Sequence, residues 1–354
     1  MPSPLLPGVE EFGAGPGARS LDARRFCTLI ETCFPAFTVQ SIAFLAEGWD
    51  STVWGVNGTH VFRFPKRPAV APGLLKEMSL LPVLAPALPV AIPRFDFTWR
   101  GGPAHEGVFV GYPKIPGVAL TGRHWSGTAA EAALAHPPDL DRGAPAHCAG
   151  LAIRRIFDPK ASAGLVTARP LARQLGAFLT ALHGFPLHNA ISAGVPHGTP
   201  ASCRQQCQLL YESVRDRVFP LLDAHTRRAA DERWVEFLTN DAAIAFRPAL
   251  IHGDLGTEHI LVDPCLGKVT GVIDWEDASI GDPALDYAGL LANLGVDAVQ
   301  EVLSAFGAPG DAELVARAAF YAAVASFHEV LYGLETGLRE HVHAGLRAAQ
   351  AVWK

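Results

Sequence analysis

Acidic and imidazole side chains are concentrated in one apolar segment of the chain. In IHGDLGTEHILVDPCLGKVTGVIDW, apolar strands frame a tight glycine-containing loop that carries His252, Asp254 and His259, and Asp274 ends the following strand. Of these residues, Asp254, His259 and Asp274 supply one base and two metal ligands. In phosphoryl transfer, one aspartate orients or deprotonates the attacking hydroxyl while two other side chains hold Mg2+ against the nucleotide phosphates. A His-x-Asp pair at a loop rim can also be a turn device, so the cluster alone leaves both interpretations open.

The elements ahead of this segment predict a small antiparallel sheet with helices. Asn57-Gly58 separates two apolar runs, and this dipeptide is the strongest short hairpin signal because both turn positions need positive φ. Residues 121–167 show weak periodicity, which is typical of a functional loop or an insertion. The predicted elements are helices at 21–34 and 73–85 and strands at 41–47, 51–56, 59–65 and 107–112.

The rest of the chain predicts a mainly helical domain, because its apolar residues recur at helical spacing. Between two of the helices lies a compact segment, 248–287, with the two short strands HILVD and KVTGVIDW. The predicted helices are 168–184, 202–226, 228–245, 283–295, 298–307 and 312–334.

The composition excludes several classes of protein. The 354 residues are 49% hydrophobic and 18% charged, which is typical of a globular chain of about two domains. No stretch offers the ~18 uninterrupted apolar residues of a bilayer span. Because no secretory signal is visible either, we expect a cytoplasmic protein without a membrane partner. The six cysteines predict free thiols, and Cys203 and Cys207 predict two thiols one turn apart on a helix.

The net charge of −6 conceals an asymmetry along the chain. Residues 1–203 contain 17 Lys and Arg against 13 Asp and Glu, whereas residues 204–354 contain 12 against 22. The net charge is therefore +4 for residues 1–203 and −10 for residues 204–354. The acidic half would repel nucleic acid, which we exclude as a partner. It favours a cationic small molecule, because opposite charge raises the local concentration of a ligand.

Several motifs in order resemble the aminoglycoside and macrolide phosphotransferases, whose fold is like that of the eukaryotic protein kinases. IHGDLGTEHILVD resembles the catalytic loop of that family, VIDW the metal-binding strand end, and GDPALD the segment that follows. EGWDSTVWGVNGTHVFRFPK resembles the hairpin that covers the nucleotide, and FVGYPKIPG resembles the hinge. The resemblance covers nearly the whole chain and implies an α+β, bilobal fold. Residues 1–112 would form the nucleotide-binding lobe, and 113–354 the helical lobe, with an insertion at about 121–167.

The resemblance also implies roles for single residues. Asp254 would be the catalytic aspartate, and His259 and Asp274 would ligate Mg2+. His252 and Asp286 would brace the loop, because a catalytic aspartate needs neighbours that hold its rotamer. The residues implied to bind the nucleotide, ATP or GTP, are Ser51, Arg63, Lys66, Glu77 and Tyr112, with Glu77 paired to Arg63. Glu276 and Asp277 follow the metal aspartate and would contact the acceptor, although exposed loop carboxylates are their simpler interpretation.

Two departures from the family pattern concern the ligands. His259 stands where the commonest pattern has Asn, although the 2''-aminoglycoside and macrolide branches resemble this chain in having His. The basic residue of the strand is Arg63, a planar fork, where Lys would be a point charge. Lys66 is therefore a second candidate for the phosphate contact. The hairpin lacks a full G-x-G-x-x-G, so the Ser51 hydroxyl and backbone N–H groups would hold phosphate there.

The expected function is transfer of the γ-phosphate to a hydroxyl of a cationic, aminoglycoside-like acceptor. Macrolide or metabolite kinases of the same fold are alternatives. A catalytically silent nucleotide-binding regulator and a metal-dependent hydrolase are alternatives from other classes. Other conspicuous residues have structural interpretations: Asp282 as a helix N-cap, Trp275 as a core anchor and His183 as a helix-end charge.

Overall fold

The computed structural model describes residues 16–48, 50–122, 165–305 and 312–353. Within these ranges the chain forms two compact units. The first comprises the described residues up to Ala71 together with Phe95–Lys114; the second comprises Pro72–Arg94 and the described residues from Ile115 onward. Most of the predicted insertion at 121–167 lies outside the described residues.

The first unit is an antiparallel sheet with one helix. The elements are α1 (Pro16–Cys33), β1 (Ile42–Glu47), β2 (Ser51–Val56), β3 (His60–Pro65), β4 (Phe97–Gly102) and β5 (His105–Pro113). The strands are ordered β1-β2-β3-β5-β4, so the four predicted strands lie side by side, and β4 was not predicted.

The hairpin between β2 and β3 confirms the prediction from Asn57-Gly58. Both residues have positive φ, 55° and 68°. The Asn57 side chain also ties down the segment ahead of β1, because its Oδ1 accepts hydrogen bonds from the N–H groups of Gln40 (2.7 Å) and Ser41 (3.1 Å). The dipeptide therefore sets the local turn and joins it to a neighbouring segment.

Aromatic side chains form the core of the first unit. Trp54, Phe62, Phe64 and Phe109 of the sheet are buried together with Ile30 of α1. Burial of such large apolar side chains contributes about 1.5–3 kcal/mol each. The helix therefore covers the sheet and stabilises it.

The second unit is mainly helical and carries two small antiparallel sheets. Its helices are α2 (Ala71–Leu84), α3 (Leu165–His183), α4 (Leu187–Ser192), α5 (Pro200–Arg217), α6 (Ala224–Thr239), α7 (Ala284–Leu294), α8 (Val296–Ser304), α9 (Ala312–Thr336) and α10 (Arg339–Val352). Its strands are β6 (Val118–Ala119), β7 (Ala249–Ile251), β8 (Ile260–Asp263), β9 (Lys268–Val272) and β10 (Ser279–Gly281). The sheet orders are β6-β8-β9 and β10-β7.

The predicted helix at 202–226 is wrong in its extent. The helix ends at Arg217, a short 3-10 turn at Phe219–Leu221 contains Pro220, and α6 starts afresh at Ala224. Asp223 caps the new helix, because its carboxylate accepts hydrogen bonds from the N–H groups of His225 and Thr226. Proline and a strong N-cap thus end one helix and start another. Helix α10, which the sequence analysis did not predict, follows at the end of the chain.

Helix α9 is the central helix of the second unit. By length and composition it could cross a membrane, but 67% of its most apolar window is buried inside the fold. Phe320, Tyr321 and Phe327 of this helix are buried in the core. Its buried Arg317 is paired, because Arg317 Nε lies 2.8 Å from Asp282 Oδ2. Packing within the unit therefore accounts for the apolar composition of α9.

Candidate active site

The loop from His252 to His259 joins β7 to β8 and carries the predicted catalytic aspartate. Strand β7 is held by pairing with β10, so the loop starts from a hydrogen-bonded edge. Gly253 has φ 87°, and a Cβ built on it would lie 2.4 Å from the Asp277 carbonyl oxygen. Only glycine fits there, because the turn needs positive φ and the two backbones approach closely.

Asp286, in the first turn of α7, anchors the loop through hydrogen bonds to its backbone. Its buried carboxylate accepts hydrogen bonds from the N–H of His252 (3.1 Å) and from the N–H of Gly253 (3.0 Å). The imidazole Nε2 of His183 lies 2.9 Å from the same carboxylate. His183 is thus both the last residue of α3 and a partner of Asp286.

His252 is a neutral, fully buried ring. Its Nε2 lies 3.0 Å from the Ile273 carbonyl oxygen, and its Nδ1 lies 3.4 Å from the Asp254 N–H nitrogen. These contacts select the tautomer that donates from Nε2 and accepts at Nδ1. Burial lowers the pKa of His252 in spite of Asp286, so the ring stays uncharged at neutral pH. It joins the catalytic loop to the strand that leads to Asp274.

The side chains of Asp254, His259 and Asp274 converge beside this loop. His259 Nδ1 lies 3.6 Å from Asp254 Oδ2, and His259 Nε2 lies 3.5 Å from Asp274 Oδ2. Asp274 has φ 68°, a left-handed conformation that Asp tolerates better than most residues, and this turns its side chain away from the line of β9. The Asp254 side chain is 59% exposed and can therefore be reached by a solute.

The protonation of these groups follows from burial and charge. Partial desolvation and the nearby carboxylates of Glu258 and Asp274 raise the pKa of Asp254, against the opposing effect of His259. Burial by itself would lower the pKa of His259, but its carboxylate neighbours, Asp274 first, outweigh burial and raise it. The raised pKa of His259 therefore favours a positive charge between the two carboxylates, which a proton or a metal ion can supply.

The donor set fits a small divalent cation. His259 Nδ1 lies 2.8 Å from the Asp254 carbonyl oxygen and donates to it. When the ring is neutral, the lone pair is therefore on Nε2, which faces Asp274. Two ligands at about 2.1 Å on adjacent octahedral positions lie about 3 Å apart, close to the observed 3.5 Å between His259 Nε2 and Asp274 Oδ2. His259 and Asp274 can therefore hold Mg2+ with a small adjustment of either side chain.

The turn after Asp274 lies against helix α2. Ligand atoms of Glu77, Asp274 and Glu276 all lie within 4.8 Å of one another. Lys76 Nζ donates to the carbonyl oxygens of Glu276 and Ala278, both at 2.6 Å. Desolvation lowers the pKa of Lys76, while nearby carboxylates, Asp277 first, oppose that shift. One ammonium group thus stands among several acidic side chains.

Trp275 and Asp277 complete this turn. The Trp275 side chain is buried and donates from Nε1 to the Val272 carbonyl oxygen (3.1 Å), which confirms its prediction as a core anchor. Asp277 is exposed, and partial desolvation together with the charge of Asp254 raises its pKa. Asp282, predicted as an N-cap, does accept a hydrogen bond from the Ala284 N–H at 3.0 Å.

Four of the residues predicted to bind the nucleotide lie in the first unit. Ser51 begins β2, Arg63 lies in β3 and Tyr112 in β5, and all three are buried. Lys66 follows β3, and its Nζ lies 2.6 Å from Glu47 Oε1. The fifth residue, Glu77, is fully buried in α2 of the second unit.

Comparisons with known proteins identify the family of this chain. Residues 154–321 match the family model described as the phosphotransferase enzyme family. Viomycin phosphotransferase of Streptomyces vinaceus is 30% identical over 181 residues, which cover 51% of this chain and 60% of that protein. The matched region thus spans about three fifths of this curated relative.

Solved structures match over almost the whole chain. The GDP and kanamycin complex of APH(2")-IIIa is 30% identical with a TM-score of 0.74, and the match covers 93% of this chain and 98% of that one. The macrolide 2'-phosphotransferase MphH from Brachybacterium faecium shares the fold at 22% identity, with a TM-score of 0.65 and coverage of 92% and 97%. The chain therefore belongs to the phosphotransferase enzyme family and has its kinase-like fold. The predicted family, fold class and enzyme class are confirmed.

Two residues that hold the loop and the turn after Asp274 in place were not predicted as parts of the site. Lys76 contacts a segment 200 positions away, and His183 contacts Asp286 over 103 positions. His183 was noticed only because it ends a helix. Nothing in the local pattern LLKEMSLL distinguishes Lys76 from a solvated lysine, so no sequence signal could have found it.

Proposed function

We propose that this chain transfers the terminal phosphate of ATP or GTP to a hydroxyl group of a cationic, aminoglycoside-like small molecule. The observation that carries the proposal is the convergence of Asp254, His259 and Asp274, with 3.5–3.6 Å between the imidazole nitrogens and the two carboxylates. A reachable carboxylate beside a metal-ligand pair is the arrangement that phosphoryl transfer to an alcohol needs.

Asp254 is the proposed catalytic residue. Its carboxylate accepts a hydrogen bond from the acceptor hydroxyl, orients the oxygen toward the phosphorus and takes the proton as the new P–O bond forms. The bond from that phosphorus to the bridging oxygen breaks at the same step, and ADP or GDP leaves. A pKa raised toward neutrality improves such a base as long as it remains ionised at the working pH. Asp286 and His252 serve this step indirectly, because their hydrogen bonds fix the backbone on either side of Gly253.

His259 and Asp274 are the proposed Mg2+ ligands. When bound, the ion would neutralise charge on the transferred phosphate. His259 would bind through Nε2, since Nδ1 is engaged with the Asp254 carbonyl oxygen. An imidazole is a less usual ligand for Mg2+ than an amide oxygen, but the hydrogen bond at Nδ1 orients the ring and raises its basicity.

We further propose that residues 1–112 act as the nucleotide-binding lobe and 113–354 as the catalytic lobe. Ser51, Arg63, Lys66 and Tyr112 would then contact the nucleotide. Glu77 of α2 is the fifth proposed nucleotide-binding residue. The GDP complex of a 30% identical relative supports nucleotide binding and makes GTP as strong a candidate donor as ATP.

The proposed acceptor is cationic because the residues after 203 carry 22 acidic against 12 basic side chains. Glu276 and Asp277, which follow the metal ligand Asp274, are the proposed acceptor contacts. The kanamycin complex and the similarity to viomycin phosphotransferase support an antibiotic-type acceptor. The likeness to the macrolide enzyme, at 22% identity, supports the shared fold alone.

The test is a phosphotransfer assay with the full chain, γ-labelled ATP or GTP, Mg2+ and panels of aminoglycosides, viomycin and macrolides. Asp254→Asn should lower kcat by about 100- to 10,000-fold, the usual contribution of a positioned general base. Asp263→Asn, which changes an aspartate of the β8–β9 turn, serves as the matched control and should keep wild-type activity.

Three outcomes would change the proposal. Activity confined to macrolides would reject the cationic acceptor. Nucleotide binding with no transfer, and equal hydrolysis by wild type and Asp254→Asn, would identify a silent regulator. Tight zinc or manganese binding without any dependence on nucleotide would identify a metal-dependent hydrolase.

A further inference from the structure

We infer that Lys76 is a positioning residue that holds the turn after Asp274 in the geometry its carboxylate needs to bind a divalent cation. The inference rests on the proposed function for its metal ion, but the contacts themselves belong to the second unit. Lys76 lies on α2, whereas the turn follows β9 about 200 positions later in the chain.

The turn at 274–278 has carbonyl oxygens that need donors. The Trp275 carbonyl oxygen accepts from the Ala278 N–H at 3.0 Å, which closes the turn. The carbonyl oxygens of Glu276 and Ala278 both accept from Lys76 Nζ at 2.6 Å. A charged donor makes each of these bonds about twice as strong as a neutral one. A single side chain therefore holds two positions of the turn at once.

Glycines on two sides let other segments approach the turn closely. A Cβ built on Gly73 of α2 would lie 2.7 Å from the Glu276 Cγ. On the other side, a Cβ built on Gly253 would lie 2.4 Å from the Asp277 carbonyl oxygen. The turn is thus packed between α2 and the catalytic loop, and Lys76 supplies the polar contacts on the side of α2.

The positive charge of Lys76 also stabilises the acidic groups around the turn. The ligand atoms of Glu77, Asp274 and Glu276 lie within 4.8 Å of one another, and carboxylates so close repel each other. The ammonium group of Lys76 is attracted to Asp277, Glu77 and Glu276. Without it, we expect the turn to open away from α2, which would move Asp274 relative to His259.

The test compares Lys76→Met with Lys268→Met, a matched control on exposed Lys268 of β9. Amide hydrogen exchange of the peptide 274–279 reports the turn, and Mn2+ binding followed by EPR with ADP or GDP reports the metal site without turnover. The Mg2+ concentration for half-maximal activity gives the functional consequence. If Lys76→Met fails to fold, Lys76→Gln, which retains a donor, replaces it.

Lys76→Met should speed exchange in the turn at least tenfold. It should also weaken Mn2+ binding and raise the Mg2+ requirement by about 10- to 100-fold, the usual effect of losing a partner behind a metal ligand. Lys268→Met should match wild type throughout. Unchanged exchange, or faster exchange with unchanged Mn2+ binding, would overturn the inference. If wild type transfers no phosphate, the proposed function fails, whereas exchange and Mn2+ binding still decide the role of Lys76.

Discussion

Replacing Asp286 by alanine removes the carboxylate on which the catalytic loop rests. In the folded chain its two oxygens accept from the N–H groups of His252 and Gly253 and meet the ring of His183 at 2.9–3.1 Å. The carboxylate is completely buried, so water cannot easily take its place. Each backbone donor left without an acceptor costs about 1–3 kcal/mol. We therefore expect the variant to lose about 2–5 kcal/mol of unfolding free energy.

The same change should reduce activity more than stability alone explains. A displacement of about 1 Å at a reacting group can cost about 100-fold in rate. The hydrogen bonds from the His252 and Gly253 N–H groups to Asp286 set the position of Asp254, which is the next residue of the loop. Urea denaturation measures the unfolding free energy, and steady-state kinetics at a temperature where the variant is folded measure kcat. We expect kcat to fall about 100-fold with a smaller change in nucleotide KM.

Asp263→Ala is a close control, because Asp263 also accepts from two backbone N–H groups, those of Cys265 (2.9 Å) and Leu266 (3.1 Å). Those bonds lie in an exposed turn between β8 and β9, where water can replace the carboxylate. We expect a loss of about 1 kcal/mol or less and unchanged kcat. Equal losses of stability and activity in the two variants would refute the reasoning, since burial is the main difference between the two carboxylates.

Two further expectations concern groups outside the catalytic loop. Arg317→Met should cost about 3–5 kcal/mol in urea denaturation, because it strands the buried Asp282 carboxylate 2.8 Å from the lost guanidinium, and adding Asp282→Asn should recover part of that loss. An unchanged unfolding free energy in Arg317→Met would contradict this. A hydrogen bond from Cys207 lowers the pKa of Cys203 to about 7, so alkylation of Cys203 should rise with pH through a midpoint near 7. Cys207→Ala should move that midpoint upward in peptide-mapped labelling rates, and an unmoved midpoint would contradict the assigned cause.

Local signals predicted those elements whose structure depends on near neighbours. Asn57-Gly58 and its flanking apolar runs suffice for the first hairpin, because turn geometry and alternation act within a few residues. The long helices were found for the same reason, but the break between α5 and α6 was predicted at residue 227, whereas α5 ends at Arg217 and α6 begins at Ala224. Pro220 and the cap at Asp223 end one helix and begin another, and the apolar spacing masks that break.

Strands β7 and β10 illustrate the opposite case. Each has three residues, too few for a periodic pattern, and each exists because it pairs with the other about 30 positions away, as Ile251 does with Ser279. Strand β4 likewise depends on pairing with β5. Such strands are decided by the partner and not by their own residues.

The residue types and spacing of Asp254, His259 and Asp274 indicate phosphoryl-transfer chemistry, and the other motifs, which occur in the order of the phosphotransferase family, favour it over a simple turn device. The sequence by itself therefore determined the class of reaction and the family. Only the tertiary structure decided what holds those groups in place: the contacts of Asp286 with His183 and of Lys76 with the turn join residues 103 and 200 positions apart. Hydrogen bonds over such separations depend on how helices pack, and no local pattern of residues encodes that packing.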